Sequence, residues 1–145
     1  MVRVLLVVAL LSSLPRLSNA DDRTPGLVQK RFVTSPHITA PTGIAVSPQG
    51  AVFVSCDING ATNTKNSVGK VVRCEDTDGD GQADKFSTFV EGIDSPRGSC
   101  YVDDTLYLMQ PPLLVAYHDT NGNGVAEKRT TLVTNLGPGL KSGGI

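Results

Sequence analysis

The sequence predicts an all-β chain, and three observations carry that prediction. An acidic phrase, Asp76-Thr-Asp-Gly-Asp-Gly-Gln-Ala-Asp84, returns 43 residues later as Asp119-Thr-Asn-Gly-Asn-Gly-Val-Ala-Glu127. Short apolar runs alternate with turn residues along most of the chain, as β-hairpins require. No window sustains the 3.6-residue apolar period of a helix.

Met1-Val-Arg3 followed by the apolar run Val4 to Leu11 and the small residues Ser18-Asn-Ala20 has the three regions of a secretory signal peptide. The run is far shorter than the ~20 residues needed to span a bilayer. Cleavage after Ala20 leaves a mature chain of residues 21–145, expected to be exported to the periplasm or the extracellular space without a transmembrane segment. Losing Arg3 and Arg16 leaves 11 basic against 14 acidic residues, a net charge of −3, which excludes the basic balance of a nucleic-acid binder.

Strands are then expected in pairs of hairpins. Gly43–Ser47 and Ala51–Ser55 flank the turn Pro48-Gln-Gly50, and Gly98–Val102 and Thr105–Met109 flank Asp103-Asp104. Third strands follow as Lys70–Cys74 and Leu113–Tyr117, and fourth strands as Phe86–Val90 and Arg129–Val133. A second series of matches, Lys30 to Lys85, Ile38 to Ile93, Pro41 to Pro96 and Gly43 to Gly98, has an offset of 55. The 12-residue excess is assigned to an insertion at Asp57 to Val68, so the underlying period is 43. That period is the length of one four-stranded propeller blade.

The predicted architecture is thus an incomplete β-propeller, with blade 1 at about 41–92 and blade 2 at about 96–137. One extra N-terminal strand, Val28–Val33, stands where a fourth strand of a missing blade would lie. Closed propellers need about four to eight blades, so the chain is expected to be an N-terminal fragment, a truncated gene product or a protomer completed by self-association through its open blade faces.

Both acidic phrases fall on hairpins between third and fourth strands. Glycine and asparagine there accept the positive φ of tight reversals. Aspartates at loop positions 1, 3, 5 and 9 with glycine at 6 also follow the calcium-loop pattern, in which oxygens from successive turn residues converge on a hard cation. The expected ligands are Asp76, Asp78, Asp80 and Asp84, with Gln82 offering its backbone carbonyl. Asp119, Asn121, Asn123 and Glu127 form a weaker second site. A solvated turn remains the other reading of each loop. Ser87 stands where an EF-hand needs a bidentate glutamate and no helices flank the loop, which excludes an EF-hand.

Cys56, Cys74 and Cys100 are an odd count in apolar contexts, expected as small buried hydrophobes. CxxCH is absent, so no c-type haem attaches within this chain. His37 and His118 are expected at the surface, and Arg97 is a candidate for the lining of a central channel. No nucleophile–base arrangement or phosphate loop is discernible.

The run from Pro41 to Gly137, with its order of Pro-x-Gly, hairpin, DTDGDGQAD and Lys-Phe, resembles the N-terminal propeller of large secreted bacterial proteins described as membrane-bound dehydrogenases. These are similar to the soluble PQQ-dependent glucose and sorbosone dehydrogenases and commonly add helical repeats and a c-type haem domain. The resemblance covers about Val28 to Gly137. It implies a sugar- or alcohol-oxidising quinoprotein, with PQQ or haem held in a longer parent, or a carbohydrate-binding relative. The catalytic His and Arg of those relatives match no motif here, so this chain alone is expected to be inactive. The alternative function is a calcium-stabilised binding or scaffold propeller without catalysis.

Overall fold

A computed structural model describes residues 29–59 and 67–137 of the chain. The expected signal peptide lies outside those residues. Contacts divide the chain into Met1–Lys30 and Arg31–Ile145. Of the first unit only Gln29 and Lys30 are described, without regular structure; the second holds all the strands.

Eight strands form two four-stranded antiparallel sheets, each with its strands in chain order. The first contains β1 (Pro41–Val46), β2 (Val52–Cys56), β3 (Gly69–Glu75) and β4 (Lys85–Ile93). The second contains β5 (Ser99–Val102), β6 (Thr105–Gln110), β7 (Leu113–His118) and β8 (Lys128–Val133). There is no helix among the described residues, and so none long and apolar enough to cross a membrane. Every expected hairpin strand is present, with ends moved by up to three residues. Asp103 and Asp104 take φ of 47° and 56°, the left-handed pair that a two-residue β5–β6 reversal demands.

The repeat is structural as well as sequential. A β-bulge falls between Val71 and Val72 in β3 and between Leu114 and Val115 in β7, positions 43 residues apart. The insertion begins at Asp57, as expected, but residues 60–66 of it lie outside the described residues.

The sheets stack face to face. Phe53, Val71 and Phe89 from the first meet Leu106, Leu108, Val115 and Tyr117 from the second in one apolar cluster. Phe53 is edge-on to Phe89 and stacked on Tyr101, each at 4.8 Å between centroids. The opposite face of the first sheet buries Val54, Cys56, Val72 and Cys74 beneath Phe32, Val33 and Ile38. Because both faces of β2 are covered, its sequence reads Val-Phe-Val-Ser-Cys without alternation. The second sheet has one covered face, and Val102, Met109 and Leu132 on it remain exposed.

Two expectations need correction. The strand at Val28–Val33 is not formed: the described residues 29–33 have no strand pairing, because no neighbouring strand lies beside them. Phe32 instead accepts one hydrogen bond from Ala83 N at 2.9 Å. Phe89 of β4 accepts the corresponding bond from Ala126 N at 2.8 Å. Residues 31–33 thus stand to the first sheet as β4 stands to the second. Cys56 and Cys74 are buried as expected, but Cys100 is exposed, since in β5 it points away from the other sheet. Burial, then the Cys56 thiol, pushes the Cys74 thiol up to about 11, so it stays protonated and inert at neutral pH. Arg97, the candidate channel residue, is ion-paired: its Nη2 lies 3.2 Å from Oδ2 of Asp57.

That ion pair belongs to a clasp between the inner edges of the sheets. Asp57 is 1 % exposed, and its Oδ1 accepts from Asn59 N at 3.0 Å. Thr42 Oγ1 donates to Pro96 O at 2.6 Å. Beside it a Cβ on Gly43 would collide with the Arg97 carbonyl oxygen, and a Cβ on Gly69 would sit 2.6 Å from Pro96 Cδ. Both glycines are therefore required by close approach rather than by φ.

Gly43→Ala is expected to destabilise the chain by about 1–3 kcal/mol, the usual cost of overpacking, read as a lower denaturant midpoint at unchanged slope. A midpoint equal to wild type would mean that the sheets do not meet there. Asp57→Asn strands the Arg97 charge and should cost about 3 kcal/mol. The double variant Asp57→Asn, Arg97→Met should recover part of that loss, and strict additivity of the two single changes would refute the pair.

Candidate functional site

The two acidic hairpins join third to fourth strands at the same end of their sheets. In the first, Asp76 turns inward: Oδ1 accepts from Gly79 N at 2.7 Å and Oδ2 from Gly81 N at 2.8 Å. Gly79 and Gly81 hold φ of 78° and 86°, which the loop needs to aim those N–H groups at one carboxylate. Asp84 accepts from both N and Oγ1 of Thr77 across the neck of the loop. Asp78 Oδ1 takes Asp80 N at 3.1 Å, and Asp80 Oδ1 takes Gln82 N at 2.7 Å.

One carboxylate oxygen from each of Asp76, Asp78 and Asp84 lies within 4.8 Å of the others. Hard oxygen donors so placed suit a divalent cation of the calcium type. Asp80 is outside that group, its carboxylate also receiving Gln82 Nε2 at 3.3 Å. The N–H of Gly81, then that of Gly79, holds the Asp76 carboxyl below the usual carboxylate range.

The second hairpin has the same frame and a different filling. Asp119 Oδ1 accepts from Gly122 N at 2.6 Å and Asn123 N at 3.2 Å, and Oδ2 from Gly124 N at 2.8 Å. Asn121 and Asn123 turn their carbonyl oxygens to Asn123 N and Val125 N. Glu127 bridges Thr120 N and Asn121 Nδ2. No three carboxylates converge here among the described residues. Partial burial raises the Asp119 carboxyl, but four backbone N–H groups led by Gly124 outweigh it and hold it low. Thr120 N lowers Glu127. Carboxyls with depressed folded-state pKa values stabilise above their unfolded pKa, and that contribution is lost as pH falls through the folded value, so both hairpins loosen only in acid.

The second hairpin also ties the sheets together. Ser87 Oγ donates to Gly124 O at 3.0 Å, and a Cβ on Gly124 would meet Ser87 and Arg73 at 3.0 and 3.1 Å. His118 Nδ1 lies 2.7 Å from Asp104 O beside the loop, and His37 stacks on Phe86 at 3.7 Å between centroids. His118 Nδ1 also lies 3.4 Å from Thr105 Oγ1.

The cleft between the sheets holds a feature that motif reading missed. Arg129 Nε donates to Tyr117 Oη at 3.3 Å, and Tyr117 Oη donates to Gln110 Oε1 at 3.0 Å. The three residues are scattered over β6, β7 and β8, so sequence spacing carries no sign of them.

Two solved structures share this fold. The iodide structure of a Trichoderma reesei carbohydrate-active enzyme of family AA12 matches with a TM-score of 0.54 and 21% identity, over 72% of this chain and 25% of that one. The calcium structure of the same Trichoderma reesei family matches with a TM-score of 0.53 and 21% identity, over 74% and 25%. The chain spans about a quarter of the length of those structures. No curated protein matches it. Its repeat, its paired sheets and its acidic hairpins lie within residues 23–143, the stretch matched by the family described as a domain of unknown function, and the chain belongs to that family, DUF7133.

Proposed function

We propose that the two stacked sheets are the leading blades of a β-propeller whose complete form oxidises sugars or alcohols outside the cytoplasm, and that the first acidic hairpin is a calcium site that stiffens the blade edge. The observation that carries the propeller is a repeated backbone bond from the loop before a fourth strand to the segment that precedes its sheet. Ala83 N meets Phe32 O and Ala126 N meets Phe89 O, so each unit receives its predecessor's outer segment in the same way. A step repeated with one hand generates either a closed ring or an open stack. Residues 31–33 supply the outer segment of a unit that precedes β1 in the ring.

The oxidoreductase reading rests on the resemblance to secreted PQQ-dependent dehydrogenases, and the sugar reading is supported by the fold shared with a carbohydrate-active enzyme family. The groups that would hold PQQ or haem belong to a longer parent, and the two blades serve it as scaffold. Asp76, Asp78 and Asp84 would hold calcium, which would relieve repulsion among carboxylates a few Å apart. Calcium also fits the second hairpin, more weakly, through Asp119 and Glu127 with the neutral oxygens of Asn121 and Asn123.

Raising calcium from zero to millimolar should raise the melting temperature, by about 2.7 kcal/mol of added stability at a hundred times the dissociation constant. Asp78→Asn with Asp80→Asn should abolish most of the rise. A melting temperature indifferent to calcium removes the metal from this proposal. With PQQ and glucose added, the chain alone should show no dye-linked turnover, whereas a parent carrying further blades should; turnover by this chain would contradict its assignment as scaffold.

A further inference from the structure

The second sheet departs from the first at three places on one face, joined by side-chain hydrogen bonds. In the first sheet Cys56 pairs with Lys70 and Cys74 with Phe86. The corresponding pairs in the second are Gln110 with Leu113 and Tyr117 with Arg129. Cys56, Cys74 and Phe86, all in an apolar cluster, are thus replaced by Gln110, Tyr117 and Arg129.

The fold therefore accepts apolar side chains at all three positions. Burying an amide and a phenol there is a cost that stacking does not require, even with the two hydrogen bonds that join them. Gln110 is 6 % exposed and Tyr117 1 %. Gln110, Tyr117 and Arg129 line an inter-sheet cleft of about 270 Å³, together with Glu91, Asp94 and Pro112. Asp94 already receives Ser67 N on Oδ1, which leaves Oδ2 for the cleft.

We propose that this cleft binds a small neutral polyhydroxyl compound, a single sugar ring or a polyol. The ligand class follows from the lining. The Gln110 carbonyl is occupied by Tyr117, so its amide nitrogen is the donor offered to the cleft, beside the Arg129 guanidinium. Glu91 and Asp94 offer carboxylate acceptors across from them. Hydroxyl groups donate and accept at adjacent positions and satisfy both walls at once. Two carboxylates against one guanidinium disfavour an anion, and the Pro112 ring offers an apolar surface to a C–H face. The volume lies just below the ~300–1,000 Å³ of sites for drug-sized ligands, which suits one ring. The cleft holds no group able to oxidise its ligand, so this binding is independent of the oxidoreductase reading and of calcium.

The test is an NMR titration of the purified chain with myo-inositol and with D-glucose, following the Gln110 side-chain amide and the backbone amides of Asp94 and Leu113. Saturable shifts are expected with a dissociation constant on the order of 1–10 mM. Tyr117→Phe keeps the ring and should weaken binding about tenfold, as should Gln110→Met. Each single change leaves a buried polar partner unpaired and should lower the melting temperature by a few degrees, whereas the double variant Tyr117→Phe, Gln110→Met, which copies the apolar first sheet, should recover part of that loss. Absence of saturable shifts overturns the proposal. So does equal or tighter binding of glycine or acetate, which would mark a zwitterion or anion site. A large loss of stability with unchanged sugar binding would overturn it too, by making the three residues purely structural.

Discussion

Everything in this chain is spaced by the approach of two backbones at the inner edges of its sheets. Gly43 lies against the Arg97 carbonyl with no room for a side chain, and Thr42 bonds Pro96 O beside it. That contact sets how far Phe53 and Phe89 reach into the second sheet and brings Arg97 to Asp57. A wider gap would open voids among large apolar side chains, whose loss of contact is costly. The outer edges are held by different chemistry: the turn around Gly124 seats on Ser87 and Arg73. Glycine thus serves at both ends of the interface, once for proximity and once for a turn.

The acidic hairpins show one backbone frame serving two fillings. In each, the first aspartate gathers backbone N–H groups from a reversal rich in positive φ, so the loop closes on its own carboxylate. The first loop then adds Asp78 and Asp84 near Asp76 and accumulates negative charge that its hydrogen bonds do not neutralise. The second uses asparagine and Glu127 to satisfy donors within the loop, and gains its role from docking against the first sheet. Their common spacing records the repeat, and their difference in charge records what each copy does.

Strand order, hairpin turns and the 43-residue period were legible because they depend on local chemistry: turn residues at fixed offsets and apolar runs between them. The N-terminal segment was misread as a strand, since a strand exists only with a partner and its sequence is silent about who stands beside it. Cys100 was misread as buried because its apolar neighbours in β5 do not say which face another sheet will cover. Asp57 stands first in a polar insertion, a context that gives no sign of its burial or of its pairing with Arg97. The chain of Gln110, Tyr117 and Arg129 was invisible, because it forms only when side chains from three strands meet on one face.

The sequence by itself determined the class of fold, the length of the repeating unit and the position of both acidic turns, since each follows from interactions among residues close in the chain. Tertiary structure decided which arginine is paired, which face is covered and where a polar cleft opens. Those depend on contacts such as Thr42 with Pro96 and Ala126 with Phe89, distant in sequence, whose geometry exists only once the sheets have stacked.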